Sequence, residues 1–267
     1  MQCYLSDVVK ICSLRGNVTP VYGITVVDQL LFVVRAWSTD IEVYDASAYC
    51  LLRRLSVPHL RDVTDMAGCQ HHRCLYLADC EGRALHTVSL EDVQAAGQWS
   101  LGDKPYGVSV TPRGHVVVSF CETSVVTMFT NAGDLLRQVA VDQVVNLRHA
   151  VVRDTGQLVI CHGSLQLTAG VSIIDAEGHV VKTVPAEPGS TQLGWPTHVG
   201  VDHRGFIYVT DYTNRRVLQF DPDLTYVADI EQEQRNPRSI CIDSTARRMY
   251  VAESGGSVHI YGLQYSQ

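Results

Sequence analysis

Lysine is scarce in this chain: only Lys10, Lys104 and Lys182 among its 21 basic residues are lysine, and the rest are arginine, the side chain suited to planar, bidentate contacts. Charge as a whole is thin, at 18% of residues, and its balance is −7. That total opposes wholesale electrostatic capture by nucleic acid or an anionic membrane, although a local basic face remains compatible with it. Long apolar runs are missing too. Nothing approaches the roughly 20 residues of a membrane-spanning helix, and the start, MQCYLSDVVK, lacks the basic and apolar regions of a secretory signal. The nine cysteines are an odd count without the dense spacing of a disulfide-stapled module. Several, such as Cys12, Cys121 and Cys241, lie in apolar stretches where free cysteine acts as a small core residue. The expectation is a soluble, cytoplasmic, monomeric domain with no membrane partner. Catalytic signatures are also absent: the chain has no Gly-x-Ser-x-Gly elbow, phosphate-binding Gly-rich loop, HExxH or dinucleotide fingerprint.

What the chain has is 46% hydrophobic residues, enough for a large core and too many for disorder, and an internal repeat. Gly194-Trp-Pro-Thr-His-Val-Gly-Val-Asp202, Arg204-Gly-Phe-Ile-Tyr-Val-Thr-Asp211, Asn214-Arg-Arg-Val-Leu-Gln-Phe-Asp221 and Leu224-Thr-Tyr-Val-Ala-Asp-Ile230 read as four short strands. Each is alternating or briefly apolar and is bounded by turn residues. The pattern recurs from Val21, Leu60, Pro105, Leu147 and Pro237. Aligned on the second residue after the opening Pro or its substitute, the copies mark Gly23, Asp62, Gly107, His149, His198 and Ser239. A period near 40–45 with four strands per unit is the signature of a propeller blade.

The fold class is therefore all-β: a single six-bladed β-propeller over residues 1–267, with four-stranded antiparallel blades starting near residues 20, 59, 104, 146, 195 and 236. The sixth unit runs out of chain after its third strand. Asp7-Val-Val-Lys-Ile-Cys-Ser-Leu14 reads as a strand with no blade of its own, and donating it to the last blade would close the ring and remove an open edge. The only helix-like stretch, Leu90-Glu-Asp-Val-Gln-Ala-Ala96, reads as an insertion between blades two and three.

The run from Trp195 to Asp221, WPTHVGVDHRGFIYVTDYTNRRVLQFD, resembles an NHL repeat, and the other copies extend the resemblance over the whole chain. It implies a propeller of the kind found in tripartite-motif NHL proteins, which bind RNA or protein partners. NHL-type propellers also include enzymes such as the amidating lyase of peptide hormone processing. That resemblance would want three channel histidines directly after the opening proline, where this chain has Tyr, Arg or Thr.

In such a blade the first strand runs along the central channel, so the loops before it and those between the second and third strands share one face. The opening positions put Tyr22, Arg61, Tyr106, Arg148, Thr197 and Arg238 there, and the ends of the second strands add Arg35, Asp79, Phe120, Cys161, Asp211 and Glu253. Trp37, Glu81, Arg83, His162, Tyr212 and Arg215 lie beside them. The candidate ligand-binding face is Tyr22, Arg35, Trp37, Arg61, Tyr106, Phe120, Arg148, His198, Tyr212, Arg215 and Arg238. Arginine forks onto carboxylate or phosphate, and both arginine and tyrosine stack on bases. The acids Asp79, Glu81, Asp211 and Glu253 could pair with the arginines and leave the surface near neutral. The reading is a non-enzymatic module for a protein or peptide partner, with single-stranded or hairpin RNA as the alternative and a metal-dependent, lyase-like propeller enzyme as a distant third. No cofactor is expected. His149 and His198 are metal candidates lacking a third ligand, for which Asp62 is the only matched acid. Cys69-Gln-His71-His72-Arg-Cys74 offers a single soft-ligand pair in the first hairpin loop of blade two, on the opposite face.

Overall fold

The computed structural model describes residues 5–14, 18–92, 96–120, 122–142, 144–164, 167–185, 193–230 and 235–265, and every helix or strand assigned in them is a strand. The chain begins with β1 (Leu5–Leu14). Blade one follows as β2 (Val21–Val27), β3 (Leu30–Arg35), β4 (Asp40–Asp45) and β5 (Leu51–Ser56), and blade two as β6 (Val63–Cys69), β7 (Cys74–Asp79), β8 (Ala84–Ser89) and β9 (Ala96–Ser100). Blade three holds β10 (Pro105–Val110), β11 (Val116–Phe120), β12 (Val125–Phe129) and β13 (Leu135–Ala140), and blade four β14 (Leu147–Val152), β15 (Leu158–Ser164), β16 (Leu167–Ile174) and β17 (Val180–Pro185). Blade five is β18 (Pro196–Val201), β19 (Ile207–Asp211), β20 (Arg216–Phe220) and β21 (Tyr226–Ile230). Blade six supplies β22 (Pro237–Asp243), β23 (Arg248–Glu253) and β24 (Val258–Tyr265) and takes β1 as its outer strand.

The closure expected from sequence is present. β1 runs antiparallel to β24 from Leu5 opposite Tyr265 to Leu14 opposite Val258. The inner strands lie between two neighbouring blades and are covered on both faces, so β11 and β19 are buried throughout and read as apolar runs rather than strict alternations. Outer strands such as β5 are mostly exposed. Six apolar clusters result, one at each junction between adjacent blades. One gathers Phe32, Val34, Ile41 and Leu55 of blade one with Met66, Leu75 and Leu77 of blade two, and another joins blade one to blade six through Leu31, Val33, Tyr250 and Ile260.

Two sequence readings change. No helix occurs around residue 90 among the described residues: Ala96 opens β9, the outer strand of blade two, and residues 93–95 lie outside the described residues. The segment joins two strands of one blade instead of two blades. The opening strand of blade two also begins at Val63, three residues beyond the sequence placement, because Leu60 to Asp62 form the preceding loop. Cross-strand pairing then makes Gly23, Asp65, Gly107, His149, His198 and Ser239 equivalent. No helix in the described residues is long and apolar enough to cross a membrane.

Candidate functional site

Each opening strand carries a bulge at its first pair, so the residue after the opening position leaves the ladder. The six residues released are Tyr22, Thr64, Tyr106, Arg148, Thr197 and Arg238, and all six line one pocket at the channel mouth. Thr64 takes the place that sequence gave to Arg61. Arg61 is exposed in the preceding loop, with its backbone N–H on Asp79.

Both ring arginines lie on aromatic faces. The Arg238 guanidinium sits 3.7 Å from the centroid of Tyr22. Arg148 lies between Tyr106, at 4.6 Å, and Trp195, at 5.1 Å, and Trp195 meets Tyr212 edge-on at 5.2 Å. In a ring of six, blades one and six stand opposite blades four and three, so the two stacks face each other across the channel. Such contacts contribute about 0.5–1 kcal/mol each at exposed sites. They fix long side chains in place without neutralising them: neither Arg148 nor Arg238 makes an ion pair among the described residues, and the Arg148 Nε is buried without a partner.

The acids of this face do other work. Asp79 accepts backbone N–H groups from Arg61, Asp62 and Gly82 and meets His86 at 3.0 Å. Asp211 does the same for Gly194 and Trp195 and pairs with Arg216, and Glu253 holds the Arg235 N–H and meets His259. Burial alone would raise the Asp79 and Glu253 carboxyls, but these donors bring both below their ordinary range. These buried clamps tie each opening loop to its own blade, and Lys104 takes Glu81 at 2.8 Å. Arg35 is likewise a clamp: its guanidinium holds Glu42 at 3.0 Å and the carbonyls of Thr19 and Gly256.

The remaining candidates divide. Trp37 is 77% exposed and Arg215 is exposed, both in loops after second strands, whereas Phe120 is 6% exposed within the apolar junction of blades two and three. His162, not Cys161, stands opposite the opening position of blade four. Cys121 lies outside the described residues. Cys69 and Cys74 face each other across the first hairpin of blade two, as expected. The contact with Cys74 lowers the Cys69 thiol to about 6, against burial.

Below the ring lies a cluster of which sequence reading named two members, His149 and His198, but gave Asp62 where the third is Asp65. Asp65 (2% exposed), His149 (2%) and His198 (9%) converge on the channel axis, with His198 Nε2 3.2 Å from Asp65 Oδ1 and His149 Nε2 3.5 Å from Oδ2. Asp65 reaches His198 from the opposite blade. Its carboxylate is held by the N–H groups of Met66 (2.8 Å) and Val108 (2.9 Å), and the two imidazoles stack with centroids 3.6 Å apart. Burial, reinforced by its neighbour His198, pushes His149 down to about 3, so it is neutral at pH 7. Burial would raise Asp65, but His198, His149 and the Val108 N–H bring it below the usual carboxylate range. Gly107 makes room for this tier: a Cβ there would stand 2.5 Å from the Arg148 carbonyl and 3.0 Å from the His149 ring. The signal for Asp65 was the period itself, since 42-residue steps link Gly23, Asp65, Gly107 and His149.

No family model and no curated protein matches the chain. Among solved structures, it is similar to one described as Kuenenia stuttgartiensis hydrazine synthase, at 16% identity and a TM-score of 0.67, over 92% of this chain and 96% of that one. It is also similar to virginiamycin B lyase from Staphylococcus aureus, at 11% identity and a TM-score of 0.66, over 96% and 99% of the two chains. At these identities the likeness establishes the six-bladed fold and carries no activity with it.

Proposed function

We propose that this chain is an NHL-type recognition module that binds a protein or peptide partner at the channel mouth through an acidic group of that partner. The observation that carries the reading is the pair of arginines, Arg148 and Arg238, laid on aromatic faces around one pocket and making no ion pair among the described residues, with Asp62 within electrostatic reach of Arg238 but beyond ion-pair distance. A carboxylate accepts two parallel N–H bonds from a guanidinium, and an arginine already ordered by stacking loses little further freedom on binding. The exposed indole of Trp37 on the same face supplies an apolar anchor of the kind that dominates interface energetics. The overall charge of −7 opposes the long-range attraction on which RNA capture depends.

The test is an array of short acidic, basic and neutral peptides probed with the full chain and with Arg148→Ala and Arg238→Ala. Retention of acidic peptides, weakened at least about tenfold by either substitution, is expected; each lost charge-assisted bond is worth about 1.5–3 kcal/mol. An absence of preference for acidic peptides overturns the reading. So does salt-steep capture of single-stranded RNA abolished by Arg148→Glu, which would assign the face to nucleic acid.

A further inference from the structure

We propose that Asp65, His149 and His198 form a binding site for a divalent transition-metal ion, zinc by preference, at the floor of the channel mouth. One ligand atom from each of the three lies within 4.8 Å of the others, and among the described residues this is the only group of three or more such side chains to do so. Bonds of about 2.0–2.1 Å at the tetrahedral angle separate neighbouring donor atoms by about 3.3 Å. His198 Nε2 lies 3.2 Å from Asp65 Oδ1 and His149 Nε2 3.5 Å from Oδ2, near that edge length and long for a charge-assisted hydrogen bond, and an ion would take His149 Nε2 from the Val108 carbonyl it meets at 3.3 Å.

A second observation is independent of those distances. His149 and His198 both turn Nε2 toward the one buried carboxylate, and their Nδ1 atoms, on the far side of each ring, are buried with no hydrogen-bond partner. The carboxylate is meanwhile anchored by two backbone N–H groups, the outer-shell support that a ligating aspartate needs.

The donor set decides the class of ion. Two imidazoles and one carboxylate suit zinc, or another first-row divalent ion, and leave a position open, whereas calcium and magnesium prefer oxygen donors alone. The space above the cluster is about 10 Å³, room for one water in the open position. Around it stand Arg148 and Arg238, whose positive charge would make an anionic group the favoured replacement for that water. The site does not depend on peptide recognition, because ion uptake is read with no partner present.

The experiment strips the full chain with a chelator, adds zinc, calcium or cobalt separately, removes free ion by gel filtration and measures bound metal. About one zinc or cobalt per chain and no calcium is expected. Cobalt should give the visible bands of a tetrahedral nitrogen and oxygen site, without thiolate-to-cobalt charge transfer. His198→Gln and Asp65→Asn should each weaken uptake by more than the about 10–100-fold typical of outer-shell changes, while Cys74→Ser leaves it unchanged. Substoichiometric zinc in the wild type overturns the proposal, as does uptake that survives both channel substitutions. Thiolate charge transfer in the wild-type cobalt protein overturns it even if neither channel variant folds, because it would place the ion at Cys69 and Cys74.

Discussion

His162 closes the end of β15 beneath the mouth, and its ring fills space that a side chain at residue 170 would occupy: a Cβ on Gly170 would lie 2.7 Å from it. Its Nε2 meets the Ser172 hydroxyl at 2.9 Å, and that hydroxyl meets Thr183 at 2.7 Å. Burial drives the imidazole down to about 4. Between pH 6.5 and about 4 the unfolded chain therefore binds a proton here that the folded chain refuses, so stability is complete above pH 6.5 and falls as the solution is acidified through this window. The loss approaches about 3 kcal/mol, at about 1.4 kcal/mol per pH unit. Denaturant melts at a series of pH values should show the slope, and His162→Gln should reduce it to the share that His149, held down to about 3, contributes over the same window. Trp37 makes a different residue-scale case, since it combines 77% exposure with a left-handed φ of 58°. Trp37→Gly removes about 1 kcal/mol of backbone strain and buries nothing less, so the variant should melt slightly higher. If the indole is a partner anchor, the same variant should bind acidic peptides more weakly. Stability and affinity moving in opposite directions is the expected result, and a fall in both would make Trp37 structural.

Strand β1 links the closure of the ring to the mouth. Val8, Cys12 and Leu14 pack on the clusters of the last blade, and Ser13 Oγ meets His259 Nδ1 at 2.8 Å. His259 in turn meets Glu253, which holds the loop leading to Arg238. Deleting residues 1–14 should lower stability by several kcal/mol through lost burial and an exposed edge, and should loosen the Arg238 side of the pocket. An unchanged melting temperature would refute the closing role of this strand. Its place was legible because the eight residues from Asp7 to Leu14 read as a strand with no blade of their own. The second strands of all six blades were legible as apolar runs cut by turn residues, whereas β9, the outer strand of blade two, was not read as a strand. Blade two was misplaced by three residues because Leu60-Arg-Asp-Val imitates the opening pattern, while the true opening, Val63-Thr-Asp, has no proline. That shift put Arg61 in the ring and hid Asp65. The contact between Asp65 and His198 is illegible in any local pattern, since it depends on blades two and five being opposite across a closed circle. The stacking of arginine on tyrosine was equally hidden, because a list of face residues says nothing of which lie on which.

The whole molecule owes its stability to six junctions of similar kind, each shared by two blades, so no blade has a core of its own. In an open array of repeats the terminal units fray, because each lacks one neighbour. Here β1 gives the last blade its fourth strand, and the first and sixth blades share a cluster as extensive as the others. Unfolding should therefore be a single transition. Leu77 is fully buried between blades one and two, across the ring from Trp195 at the opening of blade five. Leu77→Ala should cost about 2–5 kcal/mol, the usual loss for such a truncation. It should also move tryptophan fluorescence and far-ultraviolet circular dichroism to the same lower midpoint, since no blade survives the loss of its neighbour. The comparison that isolates ring closure is the same pair of probes on the chain lacking residues 1–14. With the ring opened, blade six loses its outer strand and becomes the weakest unit, so the backbone signal should fall before the fluorescence. Separate midpoints in the intact chain would show that the blades unfold independently, and coincident ones in the truncated chain would show that closure contributes nothing to cooperativity.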